Sequence, residues 1–302
     1  MIKEIAVIGA GGNMGSWFSK YFQKKGIRLS VYDINPASLK SSSNKIIYEN
    51  IADCVRGADL VLVCVPIRNT PVIIGECASQ MKSGAILAEI SSVKRQTFTA
   101  LKKVSSMIKP LCIHPMFGPG RMDLKQMKIL LIPVKNEELE LKILNELFDG
   151  AIIAVISNPE IHDKLIAIVL GLTHYANMVF ASILSKQNFS CLSDVAGTTF
   201  EIQSLLAASI MTEEPDLVIS LLLENQSVKE YIQNYLGECN KIATLIFKEN
   251  DLDLKAKYLK TRSILRQQQN LELSYKRMYQ IVEKIREGIL RQDDKVSTID
   301  KD

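Results

Sequence analysis

The N-terminal half of the chain alternates short apolar runs with segments in which apolar residues recur at helical spacing. The run 60–65 is uninterrupted, as is typical of a parallel strand buried on both faces. Eight strands are predicted, at residues 3–8, 28–32, 45–48, 59–65, 85–90, 111–113, 128–134 and 151–156. Helical segments separate most of them, at residues 16–25, 51–56, 70–81, 91–107 and 137–148. Strand and helix in alternation with short links predict a doubly wound α/β sheet.

The pattern changes after residue 157. From His162 onward no strand is predicted, and residues 164–184 form a long, almost wholly apolar helix. Further helices are predicted at residues 200–211, 216–248 (with breaks) and 255–290. We therefore expect an α/β domain over residues 1–157, an all-α domain over residues 158–290 that binds substrate and forms a dimer, and a flexible tail over residues 291–302.

A glycine-rich turn joins the first strand to the first helix. It consists of Gly9, Ala10, Gly11, Gly12, Asn13, Met14 and Gly15. Strand, glycine turn and helix are the context of a dinucleotide-binding fingerprint, in which backbone amides and the helix N-terminus receive a pyrophosphate. The spacing Gly9-x-Gly11-x-x-x-Gly15 is one residue longer than the usual pattern, unless Gly12 takes the middle role. The sequence thus predicts a Rossmann-type domain.

An acidic residue, Asp33, ends the second predicted strand, 24 residues after Gly9. A carboxylate there accepts hydrogen bonds from ribose hydroxyls and repels a 2′-phosphate. No arginine or lysine occurs in residues 34–38 to bind such a phosphate. We expect NAD rather than NADP.

Three polar or turn-forming residues follow predicted strand ends and should meet at one edge of the sheet: Pro66, Ser92 and His114. His114 is one of only three histidines and begins the segment His-Pro-Met-Phe-Gly-Pro, which we interpret as a stiff turn leaving a strand. A neutral imidazole in that place can take up a proton near pH 7.

Composition narrows the function classes. A net charge of +4 is too small to indicate nucleic-acid binding, and no apolar run approaches the roughly 18 residues of a membrane span. The six cysteines are scattered, with no metal-ligand spacing and no sign of a disulfide framework. We expect a cytoplasmic protein without a metal.

Four motifs together resemble, in order and spacing, the prephenate dehydrogenase family of tyrosine biosynthesis. They are the glycine turn, Val65-Pro66-Ile67, Ser91-Ser92-Val93-Lys94 and His114-Pro115-Met116-Phe117-Gly118-Pro119. The likeness continues through residues 158–163 and 171–174 and covers roughly residues 3–235. It implies a stand-alone dehydrogenase, without the mutase or regulatory domains of some members, and a homodimer.

The resemblance implies oxidative decarboxylation of prephenate by NAD to 4-hydroxyphenylpyruvate, CO2 and NADH. His114 would take the proton of the ring hydroxyl, and Ser92 would orient His114 and touch both hydroxyl and cofactor. Val65, Pro66 and Ile67 would line the cofactor site. His174 is either a substrate-pocket residue or a core histidine, Gly118 is a further candidate for substrate binding, and His162 is interpreted as a helix-start residue.

One family feature is missing. The family usually places an arginine in the helical domain to bind a substrate carboxylate, but residues 199–210 contain no arginine or lysine. A contact of that kind stabilises by about 1.5–3 kcal/mol. Lys94 and Arg121 are the alternative cations, both interpreted as lying near the edge of the sheet.

Three hypotheses remain open from the sequence. The first is the prephenate-type enzyme, acting on prephenate, arogenate or a related cyclohexadienyl acid. The second is a β-hydroxyacid dehydrogenase, against which Thr173 argues, since those enzymes resemble each other in a lysine four residues before the helix asparagine, here Asn177. The third is a non-catalytic NAD-binding protein that has lost its substrate arginine.

Overall fold

The computed structural model describes residues 2–39, 44–120 and 123–296, with side chains described as far as residue 287. In the N-terminal half the strands are β1 (Glu4–Ile8), β2 (Arg28–Tyr32), β3 (Lys45–Ile47), β4 (Leu60–Val63), β5 (Ile86–Glu89), β6 (Lys109–Pro115), β7 (Lys128–Ile132) and β8 (Ile152–Val155). The helices among them are α1 (Asn13–Lys24), α2 (Ile51–Arg56), α3 (Thr70–Gln80), α4 (Arg95–Lys102) and α5 (Glu137–Leu147). The predicted α/β fold is confirmed.

The eight strands form one sheet in the order β3-β2-β1-β4-β5-β6-β7-β8. Every neighbouring pair is parallel except β6 and β7, which run antiparallel. Each of the other links from β4 onward carries a helix, but the described residues between β6 and β7 contain none, so β7 turns back beside β6. Apolar clusters cover both faces of the sheet, and all four residues of β4 are buried, as its uninterrupted apolar run predicted.

The turn predicted at His114 begins later than expected. The strand β6 continues to Pro115, and His114 pairs with Leu130 of β7. The prediction that His114 lies just past a strand end is therefore wrong by two residues. β6 has only one strand partner beyond Cys112, the last residue paired with β5, and a proline is tolerated where one side of a strand is free. The strand thus holds the histidine more rigidly than a turn would.

The remaining helices are α6 (Pro159–Ile166), α7 (Thr173–Leu184), α8 (Phe189–Asp194), α9 (Thr198–Ile210), α10 (Pro215–Glu224), α11 (Gln226–Phe247), α12 (Asp251–Gln268) and α13 (Leu271–Val296). A wider π-helical turn, Ala167–Leu172, joins α6 to α7. The segment expected to be one outer helix over residues 255–290 is two helices, α12 and α13, which are separated at Gln269 and Asn270. The tail predicted from residue 291 continues α13 as far as Val296, and the rest of it lies outside the described residues.

The chain divides into two compact units. One comprises Met1–Gly171 and Pro215–Val228, and the other comprises Leu172–Glu214 and Lys229–Asp302. We call them the sheet unit and the helical unit. In the helical unit α9 packs against both α7 and α13. The helix Pro159–Leu184 is long and apolar enough to cross a membrane, judged by length and composition alone. A single helix of this kind is weak evidence for a membrane span, and 28% of its most apolar stretch is buried.

The cysteines differ between the two units. In the sheet unit Cys54, Cys77 and Cys112 are buried and Cys64 is partly buried. Burial raises the pKa of the Cys54 and Cys77 thiols to about 12, and it raises the pKa of Cys64 and of Cys112 as well. The two cysteines of the helical unit, Cys191 and Cys239, are exposed.

Candidate active site

The glycine turn after β1 is built on two close approaches. Gly9 has a φ of 82°, in the left-handed region that favours glycine, and a Cβ on it would lie 2.4 Å from the carbonyl oxygen of Cys64. A Cβ on Gly15 would lie 2.1 Å from the carbonyl oxygen of Gly9. Both contacts are with backbone and cannot be relieved by a side-chain rotation. Gly15 therefore fills the role of the glycine that packs helix against strand.

The contacts favour Gly11 rather than Gly12 for the middle role. The N–H of Gly11 donates to Oδ2 of Asp33 (2.8 Å), and a Cβ on Gly11 would fall 1.7 Å from Oγ of Ser38. A Cβ on Gly12 would meet only an ordinary contact, 3.5 Å from the carbonyl oxygen of Gly9. Gly12 is the N-cap residue of α1, and no side chain accepts a hydrogen bond from the first-turn amides of this helix. These amides are therefore suited to binding an anion. The residues present fit a dinucleotide.

The segments that follow β4, β5 and β6 converge, as the sequence predicted. Ile67, Val93 and Met116 belong to one small apolar cluster, together with Ile166 and Leu221. Ile67 and Val93 are buried, Val65 and Ser92 are half-buried, and Pro66 is exposed. These positions bring the Val65-Pro66-Ile67 segment and the Ser92 turn to the same edge of the sheet as the end of β6.

At that edge His114 begins a chain of buried polar groups. Its Nδ1 lies 3.0 Å from Nε2 of His162, and Nδ1 of His162 lies 2.8 Å from Oδ1 of Asp163. His114 is 3% exposed, His162 is fully buried and Asp163 is 5% exposed. The side-chain amide of Asn225, also buried, donates to the carbonyl oxygen of Asp163 (2.7 Å). The interpretation of His162 as a helix-start residue misses this contact with His114.

The hydrogen bonds define which nitrogens carry protons. A carboxylate only accepts, so Nδ1 of His162 donates to Asp163, and the neutral ring then presents Nε2 as an acceptor. Nδ1 of His114 donates to that acceptor, which leaves Nε2 of His114 with its lone pair. Burial lowers the pKa of His114 well below 6.5, and the neighbouring His162 and Lys94 act in the same direction. Burial also lowers the pKa of His162. Both rings are therefore neutral near pH 7.

Lys94 is not an available cation. It is fully buried, and its Nζ lies 2.6 Å from Oε1 of Glu89 and 2.5 Å from the carbonyl oxygen of Ile113. Lys94 does lie at this edge of the sheet, but the expectation that its ammonium binds a substrate carboxylate does not fit the structure, because a buried ion pair already occupies it. No pattern in the sequence indicated a pairing with Glu89, which was predicted only as part of a strand.

The remaining candidates for substrate binding are His174, Gly118 and Arg121. His174 lies in the helical unit, 7% exposed, with Nε2 at 3.3 Å from both carboxylate oxygens of Glu213. Near it Asn177 accepts from the side-chain amide of Gln203 (2.9 Å). Gly118 is exposed and Arg121 lies outside the described residues. Their proposed roles in substrate binding stay predictions.

Helix α9, where the family arginine would lie, receives a cation from elsewhere in the helical unit. Arg286 of α13 places Nη2 at 2.5 Å from Oε1 of Glu201. The carboxylate of Glu201 therefore already engages that guanidinium. In the part of the chain that the structure describes, no group of three or more His, Cys, Asp or Glu residues could hold a metal ion.

The sheet, the glycine turn and the residues at the strand ends define a dinucleotide-binding protein with an additional helical domain. Two family models match it: the nucleotide-binding domain of prephenate dehydrogenase over residues 18–156 and the dimerization domain of prephenate dehydrogenase over residues 158–261. The chain belongs to the prephenate dehydrogenase family.

Individual relatives are distant. The chain is 27% identical over 251 residues to the probable arogenate/prephenate dehydrogenase of Methanocaldococcus jannaschii, covering 80% of this chain and 56% of that protein. It is 22% identical over 255 residues to the T-protein of Haemophilus influenzae, covering 83% and 63%. It therefore spans little more than half the length of these two curated relatives.

The fold is also that of a solved relative. The crystal structure of prephenate dehydrogenase from A. aeolicus in complex with hydroxyphenyl propionate and NAD+ superposes with a TM-score of 0.70 at 22% identity. The match covers 89% of this chain and 98% of that chain. At this identity the likeness supports the architecture of the chain.

Proposed function

We propose that the chain catalyses the NAD-dependent oxidative decarboxylation of prephenate to 4-hydroxyphenylpyruvate. The observation that carries the proposal is the buried chain Asp163–His162–His114 at the sheet edge where the glycine turn and the Ser92 turn also lie. It presents a neutral imidazole nitrogen as a base in the place where a dinucleotide fold binds its ligands. Membership of the prephenate dehydrogenase family supports the choice of substrate class.

In this mechanism Nε2 of His114 accepts the proton of the ring hydroxyl of the substrate. The imidazolium that forms is stabilised by His162, which accepts from Nδ1 of His114, and through it by the carboxylate of Asp163. The half-buried Ser92 would hydrogen-bond the same hydroxyl and orient it. Because burial lowers the pKa of His114 well below 6.5, the ring stays unprotonated in mildly acidic buffer and can still act as a base there.

The bound nicotinamide would supply the hydride acceptor. As the hydride leaves the ring carbon, the hydroxyl proton passes to His114 and the oxygen becomes a carbonyl. Loss of CO2 then returns an electron pair to the ring, which becomes aromatic, and His114 gives its proton back to the phenolic oxygen. No net proton is released, so the residues around His114 only position the ring and hold one proton.

The cofactor proposal rests on the glycine turn and Asp33. Gly9, Gly11, Asn13, Met14 and Gly15 would surround the pyrophosphate, with Gly12 beginning the helix. Val65, Pro66 and Ile67 would lie against the cofactor. Oδ1 and Oδ2 of Asp33 already accept from the N–H groups of Asn35 and Gly11, and each oxygen keeps a lone pair for a ribose hydroxyl. NAD is the favoured cofactor because a 2′-phosphate would meet this carboxylate.

The test is NADH formation at 340 nm with NAD and prephenate, repeated with arogenate, with small 3-hydroxyacids and with NADP. The proposal expects turnover with prephenate and NAD. NAD binding without turnover of any of these substrates would favour the non-catalytic hypothesis. Turnover of the 3-hydroxyacids alone would favour the β-hydroxyacid dehydrogenase hypothesis.

Arogenate is the second candidate substrate. Prephenate carries two carboxylates, whereas α9 has no arginine or lysine and its Glu201 engages Arg286. Arogenate bears an amino group on its side chain and needs less positive charge around it. The ratio of kcat/KM for the two acids decides between them.

We also propose a homodimer formed through the helical unit and a cytoplasmic location. The matching dimerization-domain model supports the dimer, as do exposed apolar side chains on several helices of this unit. Examples are Ile183, Leu205, Ile246 and Phe247, which are 56, 52, 54 and 85% exposed. Light scattering after gel filtration measures the oligomeric state, and a monomer at micromolar concentration would contradict the proposal.

A further inference from the structure

An ion pair that the proposed mechanism does not use joins the last residue of β5 to the residue just before α4. Lys94 and Glu89 are both fully buried, with Nζ of Lys94 at 2.6 Å from Oε1 of Glu89. Desolvation makes such a pair costly, and apolar residues of similar size often serve stability as well or better. A contribution to stability alone therefore does not explain its presence, and its geometry offers a different role.

The carboxylate of Glu89 holds both ends of the turn that carries Ser92. Its Oε2 accepts from the N–H of Ser91 (2.9 Å), and its Oε1 accepts from Nζ of Lys94. Ser92 lies between these two anchored residues. The backbone N–H of Lys94 also donates to Oδ1 of Asp163 (2.8 Å), the oxygen that accepts from His162. The turn is thus fixed to the histidine chain from one side.

The ammonium of Lys94 ties the turn to β6 from the other side. The ladder between β5 and β6 ends with the pair Glu89 and Cys112, and the carbonyl of Ile113 lies one residue beyond it. Nζ of Lys94 donates to that carbonyl oxygen. Ile113 immediately precedes His114. The side chain of Lys94 therefore takes the place of a strand partner at the backbone next to the proposed base.

We propose that Lys94, held by Glu89, is a positioning residue that cross-links the Ser92 turn to the Ile113 carbonyl, next to His114, and so fixes the two catalytic groups relative to each other. The inference rests on the proposed function for the roles of Ser92 and His114. A displacement of about 1 Å between a catalytic group and its substrate can cost about 10²-fold in rate. Loss of the cross-link should therefore lower kcat by a larger factor than it weakens NAD binding.

Lys94→Met tests the inference, with Lys103→Met as control, because Lys103 is exposed at the end of α4. We expect kcat to fall by about 30- to 100-fold in Lys94→Met, with the dissociation constant for NAD changed by less than about threefold. Lys103→Met should behave like the parent chain. A kcat of Lys94→Met within about threefold of the parent would overturn the inference.

The double variant Glu89→Gln/Lys94→Met separates positioning from stability, and it is the variant to use if Lys94→Met does not fold. It removes the unpaired buried carboxylate that the single variant leaves behind, so the melting temperature should recover. Turnover should stay low, because nothing then ties the Ile113 carbonyl to the turn. Recovery of turnover together with the melting temperature would show a purely structural pair and refute the proposal.

A third measurement does not depend on activity. The chain has three histidines, so nitrogen-15 spectra of labelled imidazoles resolve each ring. In the parent chain we expect a protected Nδ1 proton on His114, and in the double variant we expect that proton to exchange faster and the pKa of His114 to rise. If the parent chain does not oxidise prephenate, the proposed function fails. An unchanged His114 signal in the double variant would instead refute the positioning role, whatever the activity.

Discussion

Asp163→Asn is the most informative test of the buried histidine chain. The carboxylate of Asp163 can only accept, and it therefore fixes the proton of His162 on Nδ1 and that of His114 on Nδ1. An asparagine amide can donate to Nδ1 of His162. Both imidazoles would then reverse their tautomers, and Nε2 of His114 would carry a proton instead of a lone pair. The base would be blocked although every ring keeps its place.

The magnitude follows from the contacts. Returning to the active tautomers in the variant requires that two hydrogen bonds be broken, at about 1 kcal/mol each. Loss of the carboxylate removes a further charge-assisted stabilisation of the His114 imidazolium, about 1.5–3 kcal/mol. The sum is about 3.5–5 kcal/mol, which corresponds to a loss of roughly 4 × 10²- to 5 × 10³-fold in kcat. The dissociation constant for NAD should hardly change.

The assay is steady-state NADH formation with prephenate at pH 7.5, alongside NAD titration and thermal unfolding. Glu160→Gln is the matched control, because it removes an exposed carboxylate from the same helix, α6. Some loss of stability is expected in Asp163→Asn, since this carboxylate also accepts from the N–H groups of Lys94 and Arg95. If the folded variant turns over within about threefold of the parent chain, Asp163 does not set the tautomer of His114.

Three further predictions concern the cofactor turn and the titration of His114. Gly15→Ala should lower the free energy of unfolding by about 1–3 kcal/mol or more, because its Cβ would lie 2.1 Å from a backbone oxygen. Gly12→Ala should lower it by less than about 1 kcal/mol. Urea unfolding of both variants measures the difference, and equal stability would contradict the assigned roles. Asp33→Ser should raise kcat/KM for NADP relative to NAD by about tenfold or more, and an unchanged ratio would remove Asp33 from cofactor selection. Burial lowers the pKa of His114 below 6.5, so the unfolded chain binds more protons as the pH falls below 6.5 and stability declines with acid down to the folded pKa. His114→Asn should reduce that slope by up to about 1.4 kcal/mol per pH unit, measured by urea unfolding between pH 5 and 7, and an unchanged slope would show that the ring is not held neutral.

The local pattern of the sequence was sufficient to predict the strands of the sheet. The apolar run over residues 60–65, the glycine turn and the spacing of Asp33 predicted the strand, its connection and the acidic residue near the turn, because each depends on neighbours within about 25 residues. The reversal of β7 was less visible. It agrees with the absence of a helix in the described residues between β6 and β7, and the sequence of that link offered a signal that the strand predictions did not use.

The site was only partly predictable for the same reason. His114 stood out through its rare residue type and its proline-rich segment. His162 touches it across 48 residues, and nothing in the composition of either segment indicates that contact. One signal could have helped, since His162, Asp163 and Ile166 share the buried face of α6 at helical spacing. For Lys94 the residue type itself misled, because a lysine is almost never fully buried unless it is paired.

The distribution of the six thiols allows local unfolding of the sheet unit to be measured from the reactivity of its own cysteines. Exposed Cys191 and Cys239 should react at once with a thiol reagent, whereas Cys54, Cys77 and Cys112 are sheltered and are protonated near pH 7. Cys112 is the residue at which the ladder of β5 and β6 ends, three positions from Pro115. The rate at which a thiol reagent labels Cys112 would therefore report how often β6, which carries the proposed base, separates from β5, and no engineered cysteine is needed.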